Sequence, residues 1–272
     1  MRAEVMLTTT EAAAVASVAP STIKRWADQG RLAYARTVGG HRRFERAAVE
    51  RLLLDGVPGA AGTLTELPQN GWVRCLVDGP RHELDGRLLE ARARLGRWCD
   101  VADELAAALN ALGDAWETGL ISIAEEHMAS DNLTRALARV GDALPTRRHG
   151  PRCVLACAEG DDHTLGLSLA ELCLREAGWT PLWLGRRTPH SEVARLVAEG
   201  RVDLVSLSAS EASRDAQVLA AIDAELGAVC RAHAVGLVLG GSGSWPARPA
   251  HGLRLTSFAA FRQLLLSREV TS

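Results

Sequence analysis

Cys153-Val154-Leu155-Ala156-Cys157-Ala158-Glu159-Gly160-Asp161-Asp162-His163-Thr164-Leu165-Gly166 joins an apolar run to a helical one. Residues 153–158 have strand length and are apolar on both faces, as a buried parallel strand requires, while Thr164 to Ala177 carries helical period. His163 therefore falls just past the carboxyl end of a strand, where doubly wound sheets bind ligands. An imidazole that ligates a metal through one nitrogen needs an acceptor for its other N–H, and Asp161 lies two residues earlier on the same turn. Gly166 lacks a Cβ and lets a bulky ligand approach the backbone. The same residues would also suit a loop histidine among the acidic neighbours Glu159 and Asp162.

The remaining C-terminal segments extend this beginning. Strands are expected at Thr180–Leu184, Val202–Ser208 and Val235–Leu239, helices at Ser191–Glu199 and Asp215–Ala232, and a last strand and helix within 253–268. Alternation of this kind predicts a parallel sheet with right-handed crossovers. Ser206 and Ser208 close one strand, and Gly240-Gly241-Ser242-Gly243 follows another, so both could line a ligand's polar tail. The glycine run lacks the strand-to-helix spacing of a dinucleotide fingerprint.

Length and composition bound the rest. The 272 residues suffice for two or three domains, and 47% apolar with 24% charged residues is ordinary for a globular chain. No apolar run approaches the roughly 20 residues of a membrane span, and the N-terminus lacks a signal-peptide apolar core, so a cytoplasmic protein with no membrane partner is expected. Six cysteines form no CxxC pair, and Cys153, Cys157 and Cys173 fall in apolar segments, which suggests buried thiols. Residues 1–54 hold nine Lys and Arg against five Asp and Glu, leaving 22 against 28 for the rest. A basic head on an acidic body fits a separate nucleic-acid-binding module.

In that head, Thr8-Thr9-Thr10-Glu11 reads as a capping box before a helix through Ala16, and Pro20 opens a second helix that Gly30 ends. The pair predicts a helix-turn-helix whose second helix offers Ser21, Thr22, Lys24 and Arg25 to phosphates and base edges, with Ile23 and Trp26 facing inward. Leu32 to Thr37 and His41 to Phe44, joined through Val38-Gly39-Gly40, predict a hairpin with a basic rim, and Glu45 to Leu54 a closing helix. Residues 55–71 read as a linker. Residues 72 to about 141 read as helices at Leu84–Trp98 and Val101–Leu112 with a long one from Asp114 to Val140, hence a helical bundle. On one long helix, Trp116 and His127 would differ by only about 20° around the axis, with Glu126 at the edge of that face. Such a stripe could roof a flat ligand, or could be a core tryptophan with a satisfied histidine.

Three resemblances converge on these segments. Arg36 to Phe44 closely resembles the wing signature of MerR-family regulators, which implies that the second helix enters the major groove while Arg36, His41, Arg42 and Arg43 hold flanking backbone. The long dimerising helix that usually follows the wing in that family is not visible. Asp161, His163 and Gly166, the serine-tipped strand and Gly240-Gly241 resemble the cobalamin-binding module of methionine synthase and its relatives. That likeness implies base-off cobalamin with His163 as lower cobalt ligand, Asp161 as its partner, Asp162 beside it, and Gly166, Ser206, Ser208, Gly240 and Gly241 around the tail. Ser208-Ala209-Ser210 departs from that family's Ser-x-Leu. Trp116, nine residues, then Glu126-His127 matches the signature of CarH- and LitR-type photoreceptors.

The combined resemblance implies a multidomain α plus α/β chain. Its parts would be a winged helix-turn-helix (1–54), a linker (55–71), a four-helix bundle (72–148) and a flavodoxin-like, Rossmann-like cobalamin-binding domain (149–272). Its implied role is a light-responsive repressor and not an enzyme. With adenosylcobalamin it would bind double-stranded operator DNA as a homotetramer in the dark, with Trp116, Glu126 and His127 at the upper face. Light would break the cobalt–carbon bond and leave monomers or dimers. Glu117 departs from the histidine that follows the signature tryptophan in well-known relatives, which keeps open a cobalamin or redox sensor without photochemistry. A corrinoid methyl carrier is the remaining alternative, and the basic head speaks against it.

Overall fold

The structure is a computed structural model that describes residues 5–16, 18, 20–28, 30–37, 40–54, 71–145 and 150–269; the expected linker, apart from Gly71, and the Val38-Gly39 pair lie outside them. Packing divides the chain into two compact units. One gathers residues 1–80 with 107–132, the other 81–106 with 133–272.

In the first unit, β1 (Met6–Leu7) leads into α1 (Thr9–Ala16) and α2 (Pro20–Asp28), followed by β2 (Ala35–Arg36), β3 (Arg42–Glu45) and α3 (Arg46–Leu54). The capping box forms as expected: the Thr8 N–H donates to Glu11 Oε2 at 2.7 Å, and the Glu11 N–H to Thr8 Oγ1 at 3.2 Å. β2 and β3 form the expected antiparallel wing, and β1 adds itself to the other side of β3. That third strand is two residues long, too short to carry a period-two signal. Ile23, Trp26, Leu32, Phe44 and Val49 form the core of the head.

The helical segment holds α4 (Gly71–Asp78), α5 (Leu84–Leu95), α6 (Trp98–Thr118) and α7 (Ile123–Ala143). The expectation of one helix from Asp114 to Val140 is corrected here, because the chain breaks between Thr118 and Ile123. Gly119 takes φ +80°, its N–H donates to the Trp116 carbonyl, and the Leu120 N–H reaches back to Ala115, which together make a Schellman stop. Ser122 and Glu125 then form a second capping box, with the Ser122 N–H on Glu125 Oε2 at 2.6 Å and the Glu125 N–H on Ser122 Oγ at 3.2 Å. Trp116 ends one helix and Glu126-His127 opens the next, so the angular arithmetic that put them on one stripe does not apply.

In the second unit the order is β4 (Arg152–Cys157), α8 (Leu165–Glu176), β5 (Thr180–Gly185), α9 (His190–Ala198), β6 (Leu204–Ser208), α10 (Ala216–Ala232), β7 (Gly236–Gly240), β8 (Leu253–Arg254) and α11 (Phe258–Glu269). All five strands are parallel in the order β5-β4-β6-β7-β8, the flavodoxin-like arrangement. α8 packs with α11, and α9 with α10. The apolar strands bury Val154, Ala156, Val205, Leu207, Leu237 and Leu239 between the layers. Asp103 of α6 accepts the N–H groups of Phe258 and Ala259 at 2.6 and 3.0 Å and so caps the start of α11. Expected strand and helix ends shift by one or two residues. The chain leaves β4 for β5 on one side and returns to β6 on the other, which places the topological switch at the carboxyl ends of β4 and β6.

Candidate functional site

Asp161 and His163 lie at that switch point. The Asp161 side chain is fully buried and receives four hydrogen bonds. The His163 N–H and ring Nδ1 both meet Oδ1 at 2.9 Å, while the Ser210 N–H and Ser213 Oγ donate to Oδ2 at 2.5 and 2.7 Å. Burial alone would raise this carboxyl, but the bonds from His163, Ser213 and Ser210 outweigh it and hold Asp161 well below the usual carboxylate range. Asp161 is thereby a fixed anion placed to accept a hydrogen bond from Nδ1–H, and in that tautomer the lone pair lies on Nε2, the atom a metal would use. The imidazole itself is 62% exposed. A fully engaged carboxylate thus orients an outward-facing ring.

Ser210 and Ser213 come from the segment after β6, about fifty residues away, and sequence reading missed them as partners of Asp161. Ser210 Oγ also lies 3.0 Å from His163 Nδ1, so the departure from Ser-x-Leu adds an oxygen at the histidine. The signal available in sequence was the density of hydroxyls from Ser206 to Ser213. Asp162 forms a two-pronged pair with Arg187 at 2.9 and 3.0 Å.

Gly166, Ser208 and Gly240 border one place at the strand ends. Ser208 pairs in register with Cys157 and Gly240, and a Cβ built on Gly166 would stand 3.0 Å from Ser208 Oγ. Ser206 lies two residues deeper and is 6% exposed. The two glycines of the Gly-Gly pair differ. A Cβ on Gly241 would collide with the Ala209 carbonyl at 2.2 Å, and its φ is +84°, so the fold itself demands glycine there. A Cβ on Gly240 would meet nothing nearer than the Leu207 carbonyl at 3.7 Å, an ordinary contact, so the fold does not explain that glycine.

This combination fits a corrinoid: an oriented imidazole at the switch point, and on the neighbouring strand end a glycine that packing within the fold does not require. No set of three or more His, Cys, Asp or Glu side chains among the described residues forms a metal-binding cluster. All six cysteines are free and buried as expected, and burial pushes the Cys157 thiol up to about 12.

Trp116 belongs to the first unit. It meets Trp26 of α2 edge-on, with ring centroids 6.0 Å apart and planes at 89°, and borders a small pocket with Leu52, Leu53, Ile121 and Ile123. Beside it, Thr22 Oγ1 lies 3.5 Å from Glu117 Oε1, and Arg31 Nη1 donates to the Glu117 carbonyl at 3.4 Å. Glu126 is held by Ser130 Oγ at 2.8 Å and by the His127 ring at 2.6 Å.

The head offers a mixed surface. Lys24, Arg36 and His41 are exposed, Arg43 is half-buried, and Thr22, expected to face DNA, is only 3% exposed and turns its hydroxyl to Glu117. Arg42 bonds to Asp28 and to the Lys24 carbonyl. The side chains of Ser21 and Arg25 lie outside the described part of the structure.

The sequence profile described as "Helix-turn-helix domain" matches residues 6–56, and that described as "B12 binding domain" matches residues 69–140. The HTH-type transcriptional repressor CarH of Myxococcus xanthus is 31% identical over 245 residues, covering 76% of this chain and 79% of that protein. The chain belongs to the CarH-type family of transcription regulators. The HTH-type transcriptional repressor CarA of the same organism is 38% identical over 88 residues, 32% of this chain and 31% of its own. Among solved structures, the Methanosarcina barkeri monomethylamine corrinoid protein superposes with a TM-score of 0.57 at 19% identity, over 72% of this chain and 96% of that one. That likeness shows the shared fold alone. This CarH-type cobalamin-binding regulator thus carries a helix-turn-helix head and a histidine-bearing parallel sheet in one chain. No described helix is long and apolar enough to cross a membrane.

Proposed function

We propose that the chain is a light-responsive repressor. It binds operator DNA as an oligomer, a tetramer, in the dark with adenosylcobalamin held base-off by His163, and leaves DNA as monomers or dimers when light breaks the cobalt–carbon bond. The observation that carries this reading is the Asp161-anchored, outward-facing imidazole at the switch point of a chain whose head is a winged helix-turn-helix. Bound cobalamin would supply a photolabile bond to an upper ligand. The residues supply the rest: His163 holds the cofactor from below, Gly166, Ser208 and Gly240 accept its tail, and Trp116 with Glu126 and His127 meets the upper ligand.

A switch requires only that the upper ligand interact differently with two arrangements of those side chains. Trp116, which rests on Trp26 of the second helix, would have to exchange that contact for the ligand, which gives the ligand a handle on the head. Loss of an oligomer then removes many phosphate contacts together. Size-exclusion chromatography with absorption detection, on chain loaded with adenosylcobalamin, tests this. A larger species in the dark that shrinks after green illumination is expected, and identical elution in both conditions contradicts the light response.

Glu117 favours a second reading. Its carboxylate is turned to Thr22 of the head, and a carboxylate captures cobalt less well than the histidine of relatives, which suits a cobalamin or redox sensor without photochemistry. That reading predicts oligomer and DNA affinity that follow cobalamin and not light. A corrinoid methyl carrier has no use for the basic head, and no methyl transfer to thiols is expected.

Two substitutions probe the assignments. Trp116→Ala should leave cobalamin bound but reduce dark assembly severalfold by light scattering; an unchanged dark oligomer would count against the upper-face role. Gly241→Ala should cost about 2–4 kcal/mol in thermal or urea unfolding through strain and backbone collision. Gly240→Ala should leave stability within about 0.5 kcal/mol while weakening cobalamin binding, as measured by titration.

A further inference from the structure

We propose that Arg42 is a positioning residue that braces the wing against the second helix and is not itself a ligand of the DNA backbone, with Arg36 as the wing cation to compare it against. This goes beyond the repressor reading but rests on its claim that the head binds DNA. Arg42 lies on β3 two residues before Phe44, on the strand face directed at the head's interior. Its guanidinium is held at three points. Nη1 donates to the Lys24 carbonyl at 3.0 Å, Nη2 meets Asp28 Oδ1 at 2.5 Å, and the plane lies over the Tyr34 ring with 4.7 Å to its centroid.

Lys24 and Asp28 are one helical turn apart on α2, and Tyr34 leads into β2, so one side chain ties both wing strands to the last turn of the second helix. The Arg42 side chain is 20% exposed, while Asp28 is 60% exposed. Arg36 is different. It crosses the hairpin to the Gly40 carbonyl at 3.2 Å and stands 5.6 Å from the Tyr34 centroid, with no carboxylate partner among the described residues.

Two consequences separate a brace from a phosphate ligand. A cation in contact with a carboxylate is nearly neutral from a Debye length away, so removing it releases few additional counterions. A phosphate ligand instead adds about 0.9 to the slope of log K against log salt. Asp28 gives a test of sign. Removing a negative charge from a DNA-facing surface should tighten binding by Coulomb attraction alone, whereas removing half of a brace should loosen it.

The measurement is fluorescence anisotropy of the full chain, loaded with adenosylcobalamin in the dark, on a labelled random-sequence duplex across a salt series. Asp28→Asn keeps the shape of the side chain and should bind at least threefold more weakly than the parent. Arg42→Gln should lose about tenfold at every salt concentration with its slope unchanged, while Arg36→Gln should lower the slope by about 0.9. Asp28→Asn binding that is unchanged or tighter overturns the brace, as does a slope lowered by about 0.9 in Arg42→Gln. A parent chain that holds no DNA at all would overturn the DNA-binding reading and the brace with it.

Discussion

Replacing His163 with Ala is expected to abolish the histidine-ligated absorption spectrum and to weaken cobalamin retention by at least about a hundredfold, beyond the roughly 10–100-fold that loss of an outer partner costs. The same substitution should barely touch the fold. The imidazole is 62% exposed, and the His163 N–H that Asp161 accepts belongs to the backbone and survives the change. An apo melting temperature within a few degrees of the parent, with cofactor lost on gel filtration, is the expected pair of results. Retention of cobalamin with an unchanged spectrum would remove His163 from the cobalt.

Asp161→Ala is expected to do the reverse for stability. It strands four donors, the His163 N–H and ring, the Ser210 N–H and the Ser213 hydroxyl, around a buried position. Unfolding free energy should drop by about 3 kcal/mol, and cobalamin affinity by about 10–100-fold. Acid sensitivity carries a sign as well. The Asp161 carboxyl is lowered in the folded chain, so its contribution is complete above the ordinary carboxylate value of about 4 and is lost as pH falls below that toward the lowered one. Asp161→Asn removes that loss. Urea unfolding of parent and variant at neutral pH and near pH 3 checks it: the gap between the two chains should narrow in acid, and a gap of constant size would contradict the assignment.

Much of the α/β half was legible because its signals are local. Apolar runs of strand length alternate with helical period, and Asp161 reaches His163 within one turn. What stayed hidden depends on register. Ser210 and Ser213 find Asp161 only because β6 pairs with β4 so that Ser208 stands beside Cys157, a relation fifty residues long in sequence. The break between α6 and α7 was visible in principle, since Gly119 and Ser122-x-x-Glu125 are an ordinary stop and start. Counting residues around a presumed helix passed over them. The contact of Trp116 with Trp26 joins segments ninety residues apart, and nothing in either segment announces it. Gly241 and Gly240 look identical in sequence, and only the position of the Ala209 carbonyl separates a glycine the fold requires from one it does not.

Cobalt ligation by His163 is the claim on which the rest of the account depends, and electron paramagnetic resonance of the cobalt(II) form reports on it directly. A coordinated nitrogen-14 splits each cobalt line into three, so chain expressed on nitrogen-15 and loaded with unlabelled cobalamin should show doublets in place of triplets. Triplets that persist in the labelled chain would mean that the cofactor's own base holds the cobalt, and the absence of nitrogen splitting would mean that no imidazole does; either result contradicts the account.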